Sequence, residues 1–343
     1  MTERESKTDA AVGPPSWRTS LAKTLSAWDG RHFILSPDVD GILSALILAT
    51  ETQAQPIGAY TTTTLVLVSP FRYDEAMKAL WLDQDVSSGD TLCVGQHLVL
   101  HSDDDTLPSR SRQSFNPNVH FRQSYRHSFR GIRSVGRDKY PFGTSHFLAD
   151  YFAGFQIPQS PDAFFLLGHA DSAWQSAYKY SANANIWFNL MHADSPRATF
   201  LRQLLFDYCG TDIRGYVELR QRIQAAGVRA ASSQTRPRGN MLPQEWAELA
   251  GLQTVALYRK NYDDFLRRLN ALLEIASDIL GCSNIPLRTQ TSEAFSGSVK
   301  LDYPDRITPG SFDKYMVDNQ IFSHAFIAQS KLRYTGSLAK VKE

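Results

Sequence analysis

The sequence predicts an α/β fold: a mostly parallel sheet flanked by helices, followed by a helical and α+β C-terminal domain. Two observations lead there. In the first half, short apolar and β-branched runs alternate with segments of helical spacing, the pattern of a parallel sheet covered on both faces. Past residue 195 the pattern changes to long-helix spacing and then to separate strand-like runs. At 343 residues the chain is long enough for two domains, each with its own core.

The elements follow in order. Residues 1–16 are polar and read as a disordered lead-in. Residues 17–28 suit a short helix, and Asp29-Gly30 a turn into a strand beginning at His32. A helix is expected over 43–52. Residues 58–68, GAYTTTTLVLV, are β-branched and apolar and read as a strand. Residues 74–79 suit a short helix, and 80–86, LWLDQDV, another strand. Residues 91–100 form a strand, or two short strands broken near Gly95. An amphipathic helix is expected over 142–152, FGTSHFLADYF, whose first amides can cradle an anion; capping alone also accounts for Thr144 and Ser145. Residues 164–172, FFLLGHADS, read as a further strand. Residues 195–208 and 212–225 read as helical, 229–240 as a polar linker, and 243–280 as helix with one apolar stripe. Strands are expected in SGSVKLDY and IFSHAFIAQSKLRY. The expected divisions are a lead-in over 1–16, a first domain over 17–194 and a C-terminal domain over 195–343.

Charge and cysteine content narrow the function classes. The formal net charge is +1, from 36 basic and 35 acidic residues, so any nucleic-acid contact must come from a local patch. Cys93, Cys209 and Cys282 are odd in number and widely spaced, which argues against a disulfide framework and a cysteine zinc site. The longest apolar run, around residues 42–50, is interrupted by Ser44 and is too short for a membrane span. The polar N-terminus carries no signal-peptide segment, so a soluble, cytoplasmic protein with no membrane partner is expected.

The chemistry concentrates where strands end. Residues 32–49, HFILSPDVDGILSALILA, place Asp38 and Asp40 in an acidic turn between an apolar strand and an apolar helix. Aspartates two apart can lean toward one divalent ion or one phosphoryl group, and Gly41 allows close approach. Asp and Gly also simply dominate turns. What favours a metal site is the company: Asp83 and Asp85 close LWLDQDV, His169 and Asp171 close FFLLGHADS, and His97 and His101-Ser102-Asp103 follow the 91–94 run. In a parallel sheet such side chains converge on one edge. Residues 110–139 are different in kind, with eight Lys and Arg against one acid, interleaved with aromatics. That suits a polyanion with stackable bases, with Arg122, Arg126, Arg130 and Arg133 as candidate substrate contacts. Any one of these arginines also suits an ordinary solvated loop.

In this order the segments resemble the DHH phosphoesterase superfamily, RecJ-like enzymes in particular, over roughly residues 30–190. Ser36-Pro37-Asp38-Val39-Asp40-Gly41 resembles the first family motif, and LWLDQDV the second, with Asp83 best placed. Leu167-Gly168-His169-Ala170-Asp171 resembles the fourth, and Asn116-Pro117-Asn118 an Asn-Pro turn of the family. Two features depart from the pattern: Ser36 stands where the family has a ligating His, and the signature Asp-His-His is absent. Either His97 or His101-Ser102-Asp103 takes its place, and His97 is preferred because Gly95 frees the chain to turn after the apolar run. No Gly-Gly-His substrate loop follows in 195–343.

The resemblance implies a metal-dependent phosphodiester hydrolase acting on nucleic acid, short oligonucleotides or nucleotides. Its cofactor would be one or two ions of Mn²⁺ or Mg²⁺, which oxygen-rich ligation suits. Asp40 and Asp83 would lie nearest a bridging position, Asp38 would hold one ion, and His97 and Asp171 the other. Asp85 is a further candidate ligand, and His169 a substrate contact. A homo-oligomer is allowed. The lost His at position 36 weakens at least one metal site, so a catalytically silent nucleotide- or nucleic-acid-binding protein is the alternative. Asp-x-Asp-Gly after a strand also resembles the haloacid-dehalogenase phosphatases, with Asp38 as nucleophile and Asp40 as general acid.

Overall fold

The structure is a computed structural model that describes residues 16–84, 86–88, 91–105, 113–123, 125, 139–207, 261–328 and 331–341. Asp85, Arg126, Arg130, Arg133, most of the basic stretch, the lead-in, and the segments expected over 212–225, 229–240 and 243–260 lie outside the described residues.

A seven-stranded sheet organises the chain. Its strands are β1 (His32–Leu35), β2 (Gln55–Tyr60), β3 (Thr64–Val68), β4 (Leu80–Leu82), β5 (Leu92–Val94), β6 (Thr291–Ser296) and β10 (Ala339–Lys340), in the order β10-β6-β3-β2-β1-β4-β5. The β2-β1-β4-β5 half is parallel, and the β10-β6-β3-β2 half is antiparallel. The sheet is therefore mixed, and strands from the C-terminal part of the chain complete it. A smaller antiparallel sheet, β7 (Val299–Asp302), β8 (Ile321–Ala328) and β9 (Lys331–Gly336), runs in the order β7-β9-β8.

Alternation along the strands sorts the core onto two faces. Phe33, Leu35, Val66, Val68, Leu80 and Leu82 face the larger cluster, while Ile34, Leu65, Leu67 and Trp81 face the smaller one. The larger cluster is covered by α1 (Trp17–Ala27), α2 (Val39–Thr52), α5 (Thr144–Tyr151), α6 (Pro161–His169) and α10 (Tyr262–Leu280). The smaller takes in Ala76 and Ala79 from α3 (Tyr73–Lys78) and its C-terminal end, and Phe322 of β8. Helix α2 is buried from Val39 through Ala49, and α5 from Thr144 through Asp150, so α5 is enclosed rather than amphipathic.

Two strand expectations are corrected. Residues 58–68 are not one strand but the second half of β2, a turn and β3, folded back antiparallel. The four threonines satisfy the reversal locally: Thr61 N–H donates to the Thr64 carbonyl at 3.0 Å, Thr64 N–H donates to Thr61 Oγ1 at 3.2 Å, and Thr62 takes φ 65°. The run over 164–172 belongs to helix α6 and the turn after it. Ser160 Oγ accepts from Ala163 N–H at 3.2 Å, Pro161 opens the first turn and Asp162 sits within it, a helix start that outweighs the apolar run. A short apolar run fits a buried helix as well as a buried strand.

Beyond residue 195 the described helices are α9 (Ala198–Arg202), which runs into a π turn, α10, and α11 (Phe312–Asp318). Between α6 and α9 lie α7 (Ala173–Lys179) and α8 (Ser181–Met191), and the Asn-Pro turn opens the short α4 (Pro117–His120).

Candidate active site

β1 ends at Leu35, and the chain turns through Ser36 and Pro37 into α2. Asp38 caps that helix: its Oδ1 accepts from Gly41 N–H at 2.8 Å and its Oδ2 from the Ser36 hydroxyl at 2.8 Å. The turn is so close that a Cβ on Gly41 would lie 2.3 Å from the Ser36 carbonyl oxygen, which only glycine tolerates. Ser36 thus serves as a donor to Asp38.

Asp40, 1 % exposed, points the other way, into the N-terminus of α5. Its Oδ2 accepts from Thr144 N–H at 2.6 Å, and its Oδ1 from Ser145 N–H at 3.0 Å and from the Ser145 hydroxyl. The anion held by these first amides is a carboxylate of the chain itself. Gly143 makes the approach feasible, since a Cβ there would lie 2.4 Å from Asp40 Oδ1. His146 fixes the same turn: Gly143 N–H donates to Nδ1 at 2.9 Å, and Nε2 donates to the Leu167 carbonyl at 2.8 Å. Burial draws the His146 pKa down, consistent with that neutral tautomer.

Asp83 follows β4 with φ 55° and Asp171 follows α6 with φ 49°, both in the left-handed region that non-glycine residues seldom occupy. His97, three residues beyond β5, lies between them, with Nε2 3.3 Å from Asp83 Oδ1 and 3.5 Å from Asp171 Oδ2. Thr144 Oγ1 also donates to Asp83 Oδ1, at 2.8 Å, so α5 touches both Asp40 and Asp83. Asp83 Oδ2 is buried and has no hydrogen-bond partner among the described residues. Asp83 is pushed well above the usual carboxylate range by burial, then by the charges of Asp40 and Asp38. Asp171 is pushed up to about 7 by withdrawal from water, with Asp40 and Asp38 adding to the rise and His97 and Lys139 opposing it. Asp38 is raised by burial and by Asp40 against its two hydrogen bonds. Burial is the largest cause of all three shifts, and the mutual charge of these aspartates adds to it against the one imidazole they share.

The other expected site residues lie apart from this group. His101 is buried in a different cluster, with Nδ1 3.3 Å from Asp105 Oδ2 and Nε2 2.9 Å from the Pro304 carbonyl, stacked against Tyr125 and Phe312. His169 is buried at the end of α6: Trp174 Nε1 donates to its Nδ1 at 3.0 Å, Phe165 packs on the ring, and burial brings its pKa down to about 4. It is a packed, neutral imidazole rather than a side chain open to substrate. Arg122 is exposed and donates to the Asp103 carbonyl. Asp171 sits on a turn between two helices, not at the end of a strand.

Sequence reasoning missed Thr144 as a partner of Asp83 and missed Asp40 as a cap for α5. The Gly143-Thr144-Ser145 turn was the available signal for an anion there, though not for which one. It also missed a second buried network. Asp150 Oδ2 lies 2.8 Å from His192 Nδ1, the Tyr140 hydroxyl lies 3.1 Å from His192 Nε2, Ser195 donates to Asp150, and Arg18 Nη2 lies 2.9 Å from Asp150 Oδ1.

Does the donor set fit a metal ion? Among the described residues no three His, Cys, Asp or Glu side chains are grouped to hold one as they stand. Asp38 and Asp40 have hydrogen bonds on both oxygens, and the His97 nitrogen occupies the space between Asp83 and Asp171. The charge nevertheless fits: four acidic side chains share one imidazole, and Asp83 Oδ2 is orphaned. The residues that suit a cation are Asp83, His97 and Asp171, for a single ion, once the imidazole presents a lone pair instead of a proton.

No family model, curated protein or solved structure matches the chain.

Proposed function

We propose that the chain is a phosphodiester hydrolase of the DHH type, acting with one divalent cation on nucleic acid, short oligonucleotides or nucleotides. The observation that carries this reading is the orphaned Asp83 Oδ2 beside His97 and Asp171, in a field already negative from Asp38 and Asp40. Buried carboxylates so placed need a proton or a cation for neutrality. A bound Mn²⁺ or Mg²⁺ would offset charge on phosphoryl oxygens and acidify a water. Around it, Thr144 orients Asp83, the α5 amides hold Asp40 in place, and His97 Nε2, once free of its proton, would be a ligand to the ion. The haloacid-dehalogenase alternative gains no support, because Asp38 has both oxygens engaged in its own turn.

A second reading, a catalytically silent nucleotide- or nucleic-acid-binding protein, is favoured by the engagement of both Asp40 oxygens with α5 and by Ser36 standing in a ligand position. A screen of labelled single-stranded DNA, RNA, dinucleotides and pyrophosphate with and without Mn²⁺ separates the two. Hydrolysis requires metal-dependent cleavage that Asp83→Ala abolishes. Salt-sensitive binding with no cleavage of any substrate moves the conclusion to the silent protein.

A further inference from the structure

Strand β7 is an edge. It pairs with β9 on one side, and among the described residues no strand pairs with the other. Val299, Leu301 and Tyr303 recur at every second position and are 43 %, 62 % and 49 % exposed, an apolar stripe on one face. Lys300 and Asp302 lie on the opposite face, beside α11, where Asp302 accepts the Tyr315 hydroxyl. Exposed apolar edges invite strand addition, and a short strand, here four residues, and a lone lysine are common defences against it.

Here the lysine does not defend, because the strand is complementary to itself. We propose that β7 is a homodimer edge, at which two copies of the chain pair antiparallel through residues 299–303 about a two-fold axis at Leu301. In that register Leu301 faces its counterpart, Val299 faces Tyr303, and Lys300 faces Asp302, each of the last two pairs occurring twice. Neighbouring registers lose this. Centring on Lys300 or on Asp302 sets like charges directly opposite, and a shift of half a step sets apolar residues against charged ones. Opposite charges and apolar pairs coincide in one alignment, which is what selects a second copy over an unrelated strand.

The test is sedimentation velocity on the full chain over a dilution series. The wild type should dissociate from dimer to monomer on dilution. Lys300→Asp and Asp302→Lys should each weaken self-association about tenfold or more, since each sets like charges opposite in both pairs. Mixing the two variants should restore the dimer, because each then meets the opposite sign. Should Asp302→Lys fail to fold for want of the Tyr315 bond, Leu301→Lys, at an exposed position, should abolish the dimer by itself. A monomeric wild type at all concentrations, a dimer that Lys300→Asp and Leu301→Lys leave intact, or folded variants that fail to associate when mixed would overturn the proposal.

Discussion

Asp40 of α2 caps a helix other than its own: the Thr144 amide at the start of α5 donates to Asp40 Oδ2 at 2.6 Å. The same threonine's hydroxyl reaches Asp83, so one turn of α5 holds two acidic side chains that arrive from different strand ends. The helix macrodipole and the free amides of its first turn favour a carboxylate there.

Asp40→Ala should therefore destabilise the fold by about 1–3 kcal/mol, the cost of leaving α5 amides unpaired. Gly143→Ala should also destabilise, because its methyl would meet Asp40. In the double variant that clash is gone, so the cost of Gly143→Ala should shrink. Urea denaturation of the four proteins gives the cycle, and strict additivity would contradict the contact.

Asp171 sets a pH dependence. With its carboxyl raised from 3.8 to about 7, the folded chain holds this proton more tightly than the unfolded chain does. Its contribution is fully present below the unfolded value and is lost as pH rises through about 7. Asp171→Asn lacks that loss, so it should match the wild type near pH 4 and exceed its stability near pH 8, to about a unit in each limit. Thermal unfolding across this range checks it, and Mn²⁺ should narrow the gap by favouring the ionised wild type.

Asp150 should behave in the opposite sense. Burial opposes its charge, but His192, Ser195 and Arg18 outweigh burial and hold its carboxyl below the usual range. Its stabilisation is present above the unfolded value and lost as pH falls through the folded one. Asp150→Ala should cost about 1–3 kcal/mol at neutral pH, since it leaves the buried His192 and Ser195 side chains without their hydrogen-bond partner. Asp150→Asn should flatten the acid limb of the stability curve measured by denaturant unfolding.

The alternation of strands and helices around β1, α2 and β4 was legible because one residue in two faces each side of the sheet, as Ile34 between Phe33 and Leu35 illustrates. The convergence of Asp38, Asp40 and Asp83 was legible for the same reason, since parallel strands end together. The identity of α6 was not, because periodicity cannot tell a short buried helix from a buried strand, and only Ser160-Pro161-Asp162 marked the difference. Nor was the antiparallel half of the sheet, since β6 arrives from more than two hundred residues away and nothing local to β3 announces it. The partner of Asp40 was half hidden: the Gly143-Thr144-Ser145 turn marked amides that could take an anion, but nothing local to it named a carboxylate about a hundred residues away.

The most direct measurement of the central claim is calorimetric titration of Mn²⁺ into the wild type, Asp83→Asn and Asp40→Asn. Asp83 Oδ2 is the orphaned atom, while Asp40 is held by α5. One ion should bind per chain, Asp83→Asn should abolish the binding, and a folded Asp40→Asn should lose less of it. Absence of binding in the wild type, or two ions per chain lost together on substituting Asp40, would contradict the claim.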